Sequence, residues 1–562
     1  MTFLQQPPRL GDAWSSDAIL RDSMRFCLGD RLPEAEPYLK EMGKVATDPA
    51  TLALAARADK EPPEHIPYSP WGERVDDIRV SDAYRELGRI GVEAGVTALP
   101  YEDSPLGPLA RVAWAGLLVM WGPSSALYSC PVAMTDGAAR TLVESTDPGF
   151  SDVVRRLTAR CFEEAWTSGQ WMTETSGGSD VSGTGTIAER DPDGTWRLYG
   201  TKWFTSSTTS EVALALARPR GGPRDGPRDG MSGSKGLALF LVPRRLGDGR
   251  LNAIRVRRLK DKLGTRALPT AELELEGAAA RPIGDPWGGG VKRIATMLNL
   301  TRLHNALGST GSLARGVAWA CAYARIRSAF GKRLVDLPAQ RATLVDLTCD
   351  YAAALALSLR VAELVGRREC AEASADEETL LRGLTPVAKA ATARWAVAGA
   401  AEAMEALGGP GYCEDSTLPA LVRDTHVQPI WEGTTNVLSL DFLRACGSGA
   451  WEALSADVCR MAGGNAGDPL GETRGRVLAA LEALQTAASR AVAGSAGQEW
   501  ARTLALGAGR TYACARLMEQ ARSLAQGSPE AAARTAAIAG RIARRGLVPP
   551  PPPDHEDLRS IL

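Results

Sequence analysis

Histidine is nearly absent, with four in 562 residues, and none of the ten cysteines forms a CxxC pair. Zinc sites and disulfide frameworks are built from such spacings, so neither is expected and no metal site is predicted. Scattered reduced cysteines fit an intracellular chain. Neither sign of charge dominates: the formal net charge is -1. That balance argues against a generally basic nucleic-acid binder and leaves room only for a local patch. No basic stretch followed by an apolar run opens the sequence, so no secretory signal is expected. The longest uncharged region, 112–135, is broken by Gly122-Pro123-Ser124-Ser125. It reads as a buried helix and a loop rather than a membrane span. The closing Arg559-Ser560-Ile561-Leu562 differs from the usual peroxisomal tripeptide. A soluble cytoplasmic protein is the expectation.

What is present is length enough for three or four domains. Residues 19–27, 82–96 and 109–120 show the apolar spacing of helices, and Pro-rich breaks at 61–63 and 68–70 separate them. The first third therefore reads as helical. From about Ser168 the character changes. Residues 196–206, 212–217 and 236–242 carry the runs of strands. Residues 271–276, AELELE, alternate strictly, which predicts one buried and one wet face. The turn-rich stretch 221–230 predicts a surface loop. Helical periodicity returns near Gly289, continues to about Leu443, and resumes from Trp451 to Arg545 before five prolines at 549–553. Helices, then strands, then helices is not an alternating βαβ pattern, and no GxGxxG follows a predicted strand.

Four segments carry candidate chemistry. MTETSGGSDV (172–181) is rich in small residues and hydroxyls. It suits close backbone approach to a ligand, although an ordinary loop has the same composition. GTKWFTS (200–206) sets an aromatic beside a hydroxyl, which fits a flat ring with polar edges or simply core aromatics. In YARIRSAFGK (323–332), Arg327 is placed for a phosphate, or else complements a helix C-terminus. IWEGTTNV (430–437) sets Glu432 between a large aromatic and glycine. Apolar neighbours make a carboxylate a stronger base; the alternative is an ordinary Glu at a helix start.

Together these segments resemble the acyl-CoA dehydrogenase family. MTETSGGSDV is similar to its TEPGAGSDV-type signature, YARIRSAFGK to its R-x-x-F-G element, EALGGPGY (405–412) to its GG-x-G element, and IWEGTTNV to its YEGT segment. They stand in the family's order over roughly residues 80–445. RVSDAYREL (79–87), RLKDKLGTR (258–266) and GGPGYCE (408–414) resemble the AidB-like branch, which also has a long N-terminal region and an added C-terminal helical domain.

The resemblance implies an α+β fold of acyl-CoA dehydrogenase type. Its expected parts are an N-terminal helical domain with an AidB-like extension (1–167), a central β domain (168–285), a helical bundle carrying the catalytic Glu (286–446), an extra helical domain (447–546) and a Pro-rich tail (547–562). It implies FAD and an acyl-CoA substrate, with Glu432 removing the α-proton while the β-hydride passes to flavin N5. The family's alternative base position falls on Thr301, which cannot serve. Met172, Thr173, Ser179, Phe204 and Ser206 are implied flavin contacts, joined by Ile430 and Trp431. Phe204 stands where the family usually has Trp. Arg327, Phe330 and Gly409 are implied contacts to the pyrophosphate and adenosine of a neighbouring subunit's FAD, and Asn436 to the adenine portion. Arg302 and Ser179 are implied substrate contacts. A shared FAD implies a homotetramer or at least a dimer. The electron acceptor is left open. One rival is a flavoprotein that chiefly binds DNA through its C-terminal domain. Another is a flavin oxidase acting on acyl-CoA or nitroalkanes.

Overall fold

The β-branched and apolar runs in the middle of the sequence form a closed sheet. The computed structural model describes residues 7–221, 233–464, 468–492, 495–553 and 561. It divides into two compact units. One comprises Pro49–Glu102 and Ser124–His304, the other Met1–Asp48, Asp103–Pro123 and Asn305–Leu562.

The first unit is built on strands. A hairpin of β1 (Glu64–Tyr68) and β2 (Arg74–Arg79) is followed by β3 (Ser168–Trp171), β4 (Ile187–Arg190), β5 (Trp196–Ser206), β6 (Val212–Pro219), β7 (Ala238–Pro243), β8 (Ile254–Leu259) and β9 (Thr270–Pro282). The pairings β6–β4–β5–β9–β7–β6 close on themselves, with β3 added parallel to β6 and β8 antiparallel to β9. Every second residue points inward: Ala213, Ala215 and Ala217 face Phe240, Val242, Leu273 and Leu275 in one core. Small alanines on β6 leave room for Trp196 and Phe240, whose rings meet at 5.5 Å.

Two expectations are corrected here. The first third is not wholly helical, because β1 and β2 pair within it. The hairpin is charged and short, and its place is fixed by the barrel rather than by its own pattern. Buried Asp76 accepts from Arg74 (2.7 Å), contacts His65 (2.8 Å) and accepts the Val256 N–H (3.2 Å). The alternation of 271–276 does not leave its polar face uniformly wet. Glu272 is buried because Lys260 (2.6 Å) and Arg258 (2.8 Å) accompany it. The predicted loop at 221–230 lies, beyond Gly221, outside the described residues.

The second unit is helical. Its long members include Pro338–Glu369, Ala375–Ala406 and Ala501–Leu524. Ser374 and Glu377 form a capping box that starts Ala375–Ala406. The abundance of Ala and Gly lets the helices approach closely. A Cβ on Gly509 would lie 2.8 Å from Ala391, and one on Gly383 2.7 Å from Ala450. The residues after 446 dock on this bundle through Arg516–Glu363, Arg534–Asp22 and Arg541–Asp346 pairs of 2.7–2.8 Å. The helix Pro338–Glu369 is long and apolar enough to cross a membrane, but two-thirds of that stretch is buried within the protein. It is a core helix of the bundle.

Candidate active site

Each unit carries one group of the implied site residues. In the barrel unit, the loop after β3 is tied to β5. The Trp203 N–H donates to the Thr173 carbonyl at 2.9 Å. This brings Met172, which is buried, and Thr173, which is half-buried, beside Trp203 and Phe204. Phe204 presents its ring outward and is 54% exposed. Trp203 packs edge-on against it at 6.5 Å, and the Lys260 ammonium lies 3.5 Å from the Trp203 centroid and 4.8 Å from that of Phe204. Ser206, two positions along β5, bonds Thr270 at 3.0 Å. The loop turns back over Thr173, where a Cβ on Gly178 would meet the threonine side chain at 3.0 Å. Ser179 is exposed on this turn.

Two residues of these segments were not assigned a role from sequence. Glu174 and Lys202 form an ion pair of 2.7 Å inside the barrel, where Lys202 has no exposed surface. Lys202 also donates to the Leu216 carbonyl (2.9 Å). Glu174 accepts from the Thr186 hydroxyl (2.5 Å) and the Gly185 N–H (2.7 Å). Burial opposes ionisation of Glu174. The Lys202 charge and these hydrogen bonds outweigh it and hold the carboxyl below its ordinary range. The signal available in sequence was a lysine in the middle of a strand of mainly aromatic and β-branched residues.

Further along this unit, Thr301 is buried and its hydroxyl donates to the Leu298 carbonyl at 3.1 Å. Arg302 is half-buried and donates to Asn299 at 3.2 Å. One turn on, His304 meets Asp136 at 2.8 Å, and Tyr101 donates to the same carboxylate at 2.6 Å.

In the helical unit, Glu432 lies in a turn and not in a helix. The following helix is Thr435–Cys446, with Thr434 as its N-cap. Glu432 has φ +57° and Gly433 φ +101°. A non-glycine residue there costs roughly 1–2 kcal/mol. The surroundings hold the turn in place. Lys389, wholly buried, donates to the Gly433 carbonyl at 2.6 Å. Asn305 donates to the Gln428 carbonyl at 3.2 Å, and the Trp431 indole donates to the Gln428 side chain at 3.2 Å. Ile430 is exposed, while Trp431 and Glu432 are half-buried. Asn436, in the first turn of the helix, accepts from Arg502 at 3.0 Å.

The helix carrying the 323–332 segment ends at Ile326. Arg327 leads into a two-residue hairpin, Ser328–Ala329 with Lys332–Arg333. Phe330 at its tip is 93% exposed with φ +52°. Gly409 opens a short helix, Gly409–Tyr412. The two segments share an apolar cluster: Tyr323 and Leu334 flank the hairpin, and Met404 and Leu407 precede Gly409.

The acyl-CoA dehydrogenase middle domain matches residues 169–278 and the acyl-CoA dehydrogenase C-terminal domain residues 288–446. The adaptive response protein AidB N-terminal domain matches residues 5–164. Acyl-CoA dehydrogenase family member 11 of Caenorhabditis elegans is 41% identical over 79% of this chain and 72% of its own. Putative acyl-CoA dehydrogenase AidB of Escherichia coli is 35% identical over 74% of this chain and 76% of its own. The structure of Caenorhabditis elegans ACDH-11 in complex with C11-CoA superposes with a TM-score of 0.91 at 37% identity, covering 97% of this chain and 93% of that one. With these matches along most of its length, the chain belongs to the acyl-CoA dehydrogenase family of flavin-dependent oxidoreductases, on its AidB-like branch.

Proposed function

We propose that the chain oxidises an acyl-CoA thioester to the 2,3-enoyl product, with Glu432 taking the α-proton. The observation that carries this reading is the Glu432–Gly433 turn. A carboxylate on a strained, braced backbone is what a base needs to keep a fixed position. The α-proton of a thioester is weakly acidic, so charge on the carbonyl oxygen must be stabilised as the proton leaves. The Glu432 N–H is the group of this chain assigned to that oxygen. The proton ends on the Glu432 carboxylate. When bound, FAD supplies the two-electron acceptor for the β-hydride.

The residues present fit such a cofactor. Phe204 offers an exposed aromatic face, Ser206 a hydroxyl two positions along the same strand, and the loop at Gly178 folds over the Thr173 side chain in a space that a Cβ would fill. Met172 and Ser179 complete that group, with Ile430 and Trp431 next to the base. Arg327, Phe330, Gly409 and Asn436 are assigned to the pyrophosphate and adenosine of an FAD shared with a second copy, in a dimer or tetramer. Arg302 and Ser179 are assigned to the substrate. Replacing Phe204 with Ala is expected to weaken FAD binding about tenfold, the size of one aromatic contact. Fluorimetric titration of the apoprotein with FAD measures it.

The DNA-binding alternative receives less support. Of the twelve arginines in residues 447–550, eight make ion pairs with carboxylates among the described residues. Such neutralisation leaves a weak field for a phosphate backbone.

The deciding experiment is an anaerobic titration of the purified yellow protein with acyl-CoAs of increasing chain length, C11-CoA included. Bleaching of the flavin band by at least one thioester is expected. A protein that no thioester bleaches would sink the proposal. Peroxide release in air would reassign it as an oxidase.

A further inference from the structure

We infer that Lys389 is a positioning residue for Glu432, an inference that rests on Glu432 being the base. The helix Ala375–Ala406 is rich in alanine, and Lys389 stands on it with no exposed surface. Burying an ammonium is costly unless it is given a specific acceptor. One acceptor is the Gly433 carbonyl at 2.6 Å, forty-four positions along the chain.

That carbonyl belongs to the residue directly after the base. It lies outside the hydrogen-bond ladder of the following helix, which opens with the Leu438 N–H on the Thr434 carbonyl at 3.0 Å. Gly433 has φ +101°, and a Cβ on it would come within 3.1 Å of Leu438. Glycine takes up such a φ freely, but Glu432 at φ +57° is held in a conformation that a residue with a side chain would not choose unaided. The charged donor fixes the peptide after Gly433. Asn305 and Gln428 fix the turn on its other side. A carboxylate between two such anchors keeps one position. Removing the ammonium frees the Gly433 peptide to rotate, lets Glu432 relax and moves the carboxylate off its line to the α-carbon. A displacement near 1 Å is enough to cost up to about 100-fold in rate.

The test uses the flavin-loaded protein and compares Lys389→Met, which keeps the apolar stem, with Lys389→Arg, which keeps a charged donor. For Lys389→Met, kcat is expected to fall about 10- to 100-fold with KM for acyl-CoA changed less than about twofold. The α-deuterium isotope effect on kcat should rise. Amide hydrogen exchange should speed up in residues 428–437 and not across the rest of the bundle. Lys389→Arg should recover part of kcat. Where Lys389→Met fails to fold, Lys389→Gln, a shorter neutral donor, is expected to show the same kcat-only loss at smaller size. Wild-type kcat in Lys389→Met or, in its place, Lys389→Gln would overturn the inference. So would a loss that follows flavin content with an unchanged isotope effect. Glu432→Gln is measured alongside: if it stays active the base assignment itself fails, whereas an inactive Glu432→Gln beside a fully active Lys389 variant refutes only the positioning role.

Discussion

Glu432→Gln is expected to purify yellow and to turn over acyl-CoA about 10² to 10⁴ times more slowly than the parent chain. Glutamine has the size and shape of glutamate, so the strained turn and its Lys389 brace remain. The backbone N–H of residue 432 also remains, and charge on the thioester oxygen keeps its stabiliser. What is lost is the basic carboxylate that accepts the proton, since an amide oxygen is far too weak a base. The loss should therefore appear in kcat and in kcat/KM alike, with substrate still bound. This pattern marks an interaction made only as the proton moves. Glu432→Asp should fall between the two, because one methylene less withdraws the carboxylate from its target. Stopped-flow reduction of the flavin under anaerobic conditions measures both. Parent-like reduction by Glu432→Gln would remove the residue from the mechanism.

Parts of this arrangement were legible in the sequence and parts were not. The strand 196–206 was read to its ends, because it is a run of aromatic, β-branched and apolar residues. The helix near 18–28 was legible from its apolar spacing, and the four motif segments pointed to the family. The hairpin 64–79 was not legible. Its strands are short and charged, and they exist because Asp76 and Arg74 engage Val256 far along the chain. Glu272 looked solvated by alternation, and only the approach of Lys260 and Arg258 buries it. At the base, the sequence exposed the carboxylate and its aromatic neighbour. It did not expose the positive φ, since nothing local in Trp-Glu-Gly requires the strain to fall on Glu rather than on Gly alone. That conformation is imposed by Lys389 and Asn305, residues remote in sequence from the turn they hold. A lone lysine in the alanine-rich run of 383–397 was the one available sign.

The second large effect is expected at Lys202→Met. The methionine fills most of the lysine's volume but leaves Glu174 inside the barrel without its cation. Breaking one partner of a buried pair costs about 3–5 kcal/mol, more than the pair's own net contribution, because the remaining charge is stranded. The unfolding transition that includes the barrel should fall by about 10 °C. Glu174 also begins the loop that returns over Thr173, so FAD affinity should drop with stability. The double variant Glu174→Gln with Lys202→Met removes the stranded charge and should recover much of the loss, a non-additivity that two independent sites would not show. The pH dependence has a definite sign. The folded Glu174 carboxyl lies below its ordinary value of 4.5. Its contribution is therefore complete above that value and is lost as pH falls through the folded one. The parent protein should lose stability on this acid limb, and the double variant should show a flatter one. Thermal scans across that range, read by intrinsic tryptophan fluorescence, distinguish the two. Equal acid limbs would show that the pair does not hold the loop through its charge.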